Sequence, residues 1–265
     1  MADPAPAHLD PSALGTKEYW DTLYTRELTN HAANPQDEGT VWFDDADAQA
    51  KMVAYLDEHC SNPDHEPLHH EPLDPSRAAV LDLGCGNGSL LFALRDEGWE
   101  GRLLGVDYSA RSVELAGRVG GGRKGEREVE FKVWDVLNGP LSEVAVAVAV
   151  EGESETETAA GWDVVLDKGT FDAVSLSGER DGQGRRICEG YGERVLQLLR
   201  PGGIFLVTSC NWTEAELRDW FETKTRPTEA GARLRLAGRI EYPSFHFGGV
   251  KGQTISTLCF EKASN

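Results

Sequence analysis

One stretch, residues 79–108, constrains this chain more than any other. It reads Ala79-Val80-Leu81-Asp82-Leu83-Gly84-Cys85-Gly86-Asn87-Gly88-Ser89, then a run with Leu90, Leu91 and Leu94 at helical spacing, then Leu103-Leu104-Gly105-Val106-Asp107-Tyr108. A short apolar run into a glycine turn, an amphipathic segment and a second apolar run ending in an acid spell a βαβ unit. Such a unit binds ligands at the carboxyl ends of its strands. Gly84, Gly86 and Gly88 allow a sharp turn and a close ligand approach to the main chain. The following helix presents free N–H groups and a positive dipole end. Asp107, about 20 residues beyond the turn, is placed to accept both hydroxyls of a ribose.

A dinucleotide is a poor fit. The G-x-G-x-x-G/A fingerprint wants its third glycine where Ser89 stands. Asp82, just ahead of the turn, would repel a pyrophosphate and suits a ligand with a cationic end. A turn with a purely structural role is the bland alternative. The pattern Asp82-x-Gly84-x-Gly86-x-Gly88 resembles the first motif of class I S-adenosyl-L-methionine-dependent methyltransferases. That ligand carries an ammonium and a sulfonium and no phosphate.

The 265 residues fit one α/β domain with additions. A net charge of −19 disfavours nucleic-acid backbones and anionic membranes and favours a basic protein partner, although solubility alone would account for it. Cys60, Cys85, Cys188, Cys210 and Cys259 are scattered and odd in number, so no disulfide framework follows and a reducing compartment is expected. With no secretory segment and no membrane-length apolar run, a cytoplasmic location is expected, without nucleic-acid or membrane partners.

Residues 1–13 read as a loose tail. Thr16 is a helix cap before Trp20, Leu23, Tyr24 and Leu28 at helical spacing. A second helix is expected over 45–59, then a proline-rich loop over 60–77. Cys60, His65, His69 and His70 in that loop lack zinc spacing, so no metal is expected. A third strand is expected over 129–134, ending at Asp135. Residues 141–160 read as a short helix and then a disordered insertion, with strand alternation as the competing reading. Trp162-Asp163-Val164-Val165-Leu166-Asp167 is a fourth strand. A helix to Leu199 is stopped by Arg200-Pro201-Gly202-Gly203, a fifth strand covers 204–208, and a helix covers 214–221. A terminal antiparallel hairpin is expected from segments 240–247 and 254–260. The sum is a mostly parallel, seven-stranded, Rossmann-like α/β sheet ending in that hairpin. Asp82, Asp107, Asp135 and Asp167 all fall at or near strand ends, expected to form one crevice.

Further segments resemble one family closely. They are Leu14-Gly15-Thr16-Lys17-Glu18-Tyr19-Trp20-Asp21 with Tyr24, Val41-Trp42-Phe43, Leu166-Asp167-Lys168-Gly169-Thr170-Phe171-Asp172-Ala173, Thr208-Ser209-Cys210-Asn211-Trp212-Thr213, and Phe245-His246-Phe247-Gly248-Gly249. The chain resembles, from Leu14 onward, the Efm4 family of protein-lysine methyltransferases, which modify a lysine of translation elongation factor 1-alpha. It departs from that family in its loops at 60–77 and 119–127 and its insertion at 141–160. The resemblance implies a lid segment and loop over 14–77 and a class I methyltransferase domain over 78–265, with the insertion near 151–160.

It also implies site roles. Asp107, with Tyr108 beside it, would hold the ribose, and Asp135 the adenine amine, with Trp134 or Val136 against the ring. Asp82, Gly84 and Gly86 would surround the methionine end of S-adenosylmethionine. Asp167 would face the methyl group and, with Trp20, act on the incoming lysine. Trp20, Tyr24, Trp42 and Phe43 would form an aromatic lid, although ordinary helix packing also explains Tyr24 and Phe43. Asp172 reads as a helix-start cap rather than a second catalytic acid. A small-molecule methyltransferase and an inactive cofactor-binding subunit are the rival readings.

Overall fold

The computed structural model describes residues 8–61, 73–123, 128–146, 161–247 and 250–264. The metal-spacing argument over His65, His69 and His70, and the insertion near 151–160, lie outside them. The chain opens with helix α1 (Lys17–Ala33), where the Thr16 hydroxyl accepts from the Tyr19 N–H as expected of a cap. Helix α2 (Ala48–Ser61) starts three residues later than its pattern suggested. Phe43 and Asp47 take left-handed φ values of 64° and 55°, conformations that cannot continue a helix and that bracket a single 3-10 turn.

Strand β1 (Val80–Leu83), helix α3 (Ser89–Asp96) and strand β2 (Leu103–Asp107) form the βαβ unit read from the glycine turn. Helix α4 (Ala110–Gly121) and strand β3 (Glu130–Val133) follow. Strand β4 (Trp162–Lys168), helix α5 (Thr170–Ser175), helix α6 (Tyr191–Leu198), strand β5 (Leu199–Ser209) and helix α7 (Glu214–Arg218) complete the parallel half. The Arg200–Gly203 segment does not stop α6. It lies inside β5, where the pairing skips from Trp162↔Leu199 to Val164↔Ile204.

Strands β6 (Arg233–Ile240), β7 (Ser244–Phe247), β8 (Val250–Gln253) and β9 (Ser256–Ala263) end the chain. The seven-stranded sheet has the order β3-β2-β1-β4-β5-β9-β6, with β9 antiparallel to both its neighbours. An antiparallel pair does close the sheet, but the partner of β9 is β6, not the 240–247 segment. In β6, Leu234 and Ile240 are buried while Arg235 and Arg239 are exposed, the alternation of a strand with one wet face. The expected hairpin segment instead pairs β7 with β8 as a separate ribbon.

Two apolar layers cover the sheet. Leu81, Leu83, Val165, Phe205 and Val207 pack on Phe171, Tyr191 and Phe221 on one face. Val80, Val164, Leu166 and Leu206 pack on Met52, Leu56, Leu90 and Leu94 on the other. The register between β1 and β4 is pinned by Asp163, whose carboxylate accepts the Ala79 N–H at 2.8 Å. Residues 8–13 are docked, not loose: Ser12 N–H donates to the Leu176 carbonyl at 3.0 Å, and Leu9 packs on the first layer. Among the described residues no helix is long and apolar enough to cross a membrane.

Candidate active site

Strand order reverses between β1 and β4. A cavity of about 410 Å³ opens at the carboxyl ends of these strands, where such a switch places ligands. Asp107 ends β2 at its rim and is 6% exposed. Its Oδ1 accepts the Ser109 N–H at 2.8 Å and its Oδ2 accepts the Gly86 N–H at 3.3 Å and the Ser112 hydroxyl at 2.8 Å. Burial raises its pKa, and these hydrogen bonds oppose the shift. The carboxylate therefore ties the glycine turn to β2 while still lining the cavity. Tyr108 lines the cavity next to it.

Asp135 also lines the cavity, and shapes its own loop by accepting the Leu137 N–H at 2.8 Å and the Asn138 side-chain amide at 3.0 Å. Trp134 and Val136 reach the same wall. One Trp134 face lies under the Arg194 guanidinium, 5.4 Å from the ring centre.

The four acids do not share one crevice. Asp82 pairs across to Leu166 and Leu83 to Asp167. Residues paired in this way point to the same face, and successive residues alternate. Asp82, Leu166 and Lys168 therefore share one face, and Asp167 points to the other. Asp167 is fully buried, away from the cavity wall. Its oxygens accept the Thr170 N–H at 2.7 Å, the Phe171 N–H at 2.9 Å and the Tyr191 hydroxyl at 2.6 Å. Burial pushes its carboxyl up to about 7, with the neighbouring Asp172 adding to the shift. It caps α5 and anchors α6, so the carboxylate expected beside the methyl group is not there.

Lys168 occupies that end of β4 instead. It lines the cavity with Asp82, and its ammonium donates to the Trp42 carbonyl at 3.1 Å. Asp82 accepts no hydrogen bond among the described residues. Burial pushes it up to about 7 and pushes Lys168 down, each charge opposing the other's shift.

Asp172 is the other acid at this end. It does not cap its helix. It accepts the Ser209 hydroxyl and, at 2.8 Å, the Cys210 N–H, and it lines the cavity with Cys210 and Asn211. Burial raises its pKa. Both cavity thiols are held protonated: burial pushes Cys210 up to about 12 and Cys85 well above its ordinary value. Neither is a nucleophile near neutral pH.

The roof is aromatic. Trp20, Tyr24, Trp42 and Phe43 all line the cavity. The Trp20 indole lies 5.5 Å from that of Trp42, edge to face, and its N–H donates to the Leu14 carbonyl at 2.7 Å. The roof is clipped to the turn below by the Asn87 amide, which donates to the Glu38 carbonyl at 2.9 Å, and is tied within itself by the Thr40 N–H, which donates to Glu27 of α1 at 3.1 Å. The four aromatic side chains expected of a lid thus meet at one cavity wall, Tyr24 and Phe43 included.

Against known proteins, the methyltransferase domain family matches residues 75–249. The Saccharomyces cerevisiae protein-lysine N-methyltransferase EFM4 is 37% identical over 256 residues, 97% of this chain and 97% of its own. EEF1A lysine methyltransferase 2 of Homo sapiens is 32% identical over 252 residues, 95% of this chain and 88% of its own. The chain belongs to the Efm4 family of methyltransferases. Among solved structures, the [4+2]-cyclase SpnF aligns at a TM-score of 0.57 and 13% identity, over 99% of this chain and 100% of its own. That likeness shows the fold alone, and the cyclase name illustrates how little a fold says about a reaction.

The cofactor of this Efm4-family enzyme is S-adenosylmethionine, and the residues present fit it. Gly84 and Gly86 take φ values of 65° and 58°, and a Cβ there would lie 2.1 Å from the Thr170 hydroxyl and 2.9 Å from the Tyr24 hydroxyl. Thr170 and Tyr24 thus require a bare turn, and the bare main chain of both glycines lines the cavity. Asp82, which accepts no hydrogen bond among the described residues, offers a carboxylate to a cationic end, and Asp107 lines the cavity where a ribose would lie while its oxygens hold the glycine turn.

Proposed function

We propose that this enzyme transfers the methyl group of S-adenosylmethionine to a lysine of translation elongation factor 1-alpha. The observation that carries the reading is likeness along almost the whole chain to proteins named as lysine methyltransferases, the human and zebrafish ones named for EEF1A. The cavity supports it, because its roof is aromatic and its floor acidic. We place the enzyme in the cytoplasm with that target.

When bound, the cofactor supplies an electrophilic methyl on a sulfonium. The protein's task is to bring a neutral amine into line with it, and positioning supplies much of the rate. A free lysine, with a pKa of about 10.4, is only roughly 0.4% neutral at pH 8. Aromatic faces of Trp20 and Trp42 attract the cationic side chain as it enters. Burial of the amine in the cavity then favours its neutral form. Asp172 is the acid at the β4–β5 end that lines the cavity, so it takes the orienting role first expected of Asp167. Asp167 acts through the fold, by holding α5.

The test uses purified enzyme, labelled cofactor and intact elongation factor. Mass spectrometry should find methyl groups on a lysine, and changing that lysine to arginine should remove the label. Label entering only the small-molecule fraction of a lysate would favour the metabolite reading. No label anywhere would favour an inactive subunit.

A further inference from the structure

The methyltransferase reading leaves two polar groups in the cavity without a task. The first is Lys168. Its side chain shares a face with Asp82 on the adjacent strand, one step along the diagonal from the Asp82↔Leu166 pair. Its ammonium has three N–H donors, and among the described residues one of them is used, on the Trp42 carbonyl. The second is the Trp42 indole N–H, which is buried without a hydrogen-bond partner among the described residues. An unmet buried donor is costly and calls for an acceptor. Both donors belong to residues of the cavity wall, and the Lys168–Trp42 hydrogen bond joins them.

The amino-acid end of S-adenosylmethionine carries an ammonium and a carboxylate on one carbon. Asp82 answers the first charge. We infer that Lys168 and the Trp42 indole N–H together bind the α-carboxylate, so that β1, β4 and the lid grip the amino-acid end of the cofactor between them. The other described cation of the cavity wall, Lys17, is poorly placed for this. Its ammonium is paired with Asp21 at 2.6 Å and lies 5.7 Å from the Tyr108 ring centre, at the ribose end. Since the Trp42 carbonyl is held by the same ammonium, cofactor seating and lid position share one residue.

The inference rests on the cofactor reading, and calorimetry without any protein substrate separates the two. Three ligands are compared: S-adenosylmethionine, its decarboxylated analogue, which keeps the ammonium, and 5′-methylthioadenosine, which lacks the amino-acid end. On the unaltered protein, the first should bind about 10- to 100-fold more tightly than the second, the usual worth of a charge-assisted hydrogen bond. Lys168→Met should erase most of that preference and leave 5′-methylthioadenosine within about twofold, and Trp42→Phe should do the same to a lesser degree. Equal binding of the first two ligands by the unaltered protein overturns the inference even if the variants do not fold. Uniform loss across all three ligands in Lys168→Met also overturns it, because the lysine would then act only as a lid clip. Failure of the unaltered protein to bind any of them removes the cofactor reading and this inference together.

Discussion

Asp82 and Asp167 stand one residue out of step on adjacent strands, and the structure gives them opposite employments. Both are buried, and burial pushes both carboxyls up to about 7. Asp82 faces the cavity and accepts no hydrogen bond among the described residues. Asp167 faces α5 and α6 and is occupied by two backbone N–H groups and the Tyr191 hydroxyl. Nearness to a strand end therefore does not make an acid part of a site. Side-chain direction along the strand decides, and the β1–β4 register sets it.

The largest expected effect tests the side of the cavity where the acid does both jobs. Asp107→Ala should weaken S-adenosylmethionine binding by about 100-fold or more, since two hydrogen bonds to a charged group are lost. Calorimetry measures this, with circular dichroism to confirm the fold. Unchanged affinity would place the ribose elsewhere.

The next effect sets the two acids against each other. Asp167→Asn should cost about 1–3 kcal/mol of stability in chemical denaturation and leave cofactor affinity nearly intact in the folded fraction. Asp82→Asn should instead weaken cofactor binding in the folded fraction, and it also takes away the charge that faces Lys168, so some stability goes with it. Were Asp167→Asn to abolish transfer in fully folded enzyme, the comparison would break and a direct catalytic acid would return to β4.

A third test sharpens the Asp82 side through pH. The carboxylate form binds the cofactor's ammonium, and burial raises the pKa of this group in the empty protein, with the Lys168 charge opposing the shift. Affinity should rise with pH as the carboxyl ionises. The slope should shrink in Asp82→Asn, leaving the part due to Asp107, whose pKa burial also raises. The raised pKa of Asp82 means that the empty fold binds protons more readily than the unfolded chain, for which 3.8 is the reference value. Stability contributed by this group is thus lost as pH rises through the raised pKa. The smallest effect concerns the surface. With a net charge of −19, transfer to a basic protein should slow with salt more than cofactor affinity falls, over a Debye length of about 8 Å at physiological ionic strength.

The parts that were legible in the sequence share a local cause. The glycine turn and its two flanking acids are adjacent in the chain, so their spacing carries the geometry. The Thr16 cap and the aromatic positions of α1 are local in the same way. What stayed hidden is long-range. Residues 164–167 are apolar except for one acid and are buried on both faces, so no polar alternation marks which side Asp167 takes. Lys168 was visible within its motif, yet its task depends on Asp82 and Trp42, both distant in the chain. Asp172 reads as a cap from sequence because its true partners, Ser209 at the end of β5 and Cys210 just after it, are distant in the chain. The β6–β9 pairing is hard to read from sequence because Arg233, Arg235 and Arg239 mask a strand in which Leu234, Leu236 and Ile240 alternate with them.

The Asp163 pin on Ala79 has a further consequence for how such a chain tolerates insertions and deletions. A single residue gained or lost between that pin and Gly169 would exchange Lys168 for an acid at the cavity wall, and would send a lysine into the apolar layer around Tyr191. Two residues would restore the sense of the pattern but move every group by a full repeat. The length of this short stretch therefore behaves like a reading frame, and lineages of this enzyme should vary it far less than they vary the loops on either side.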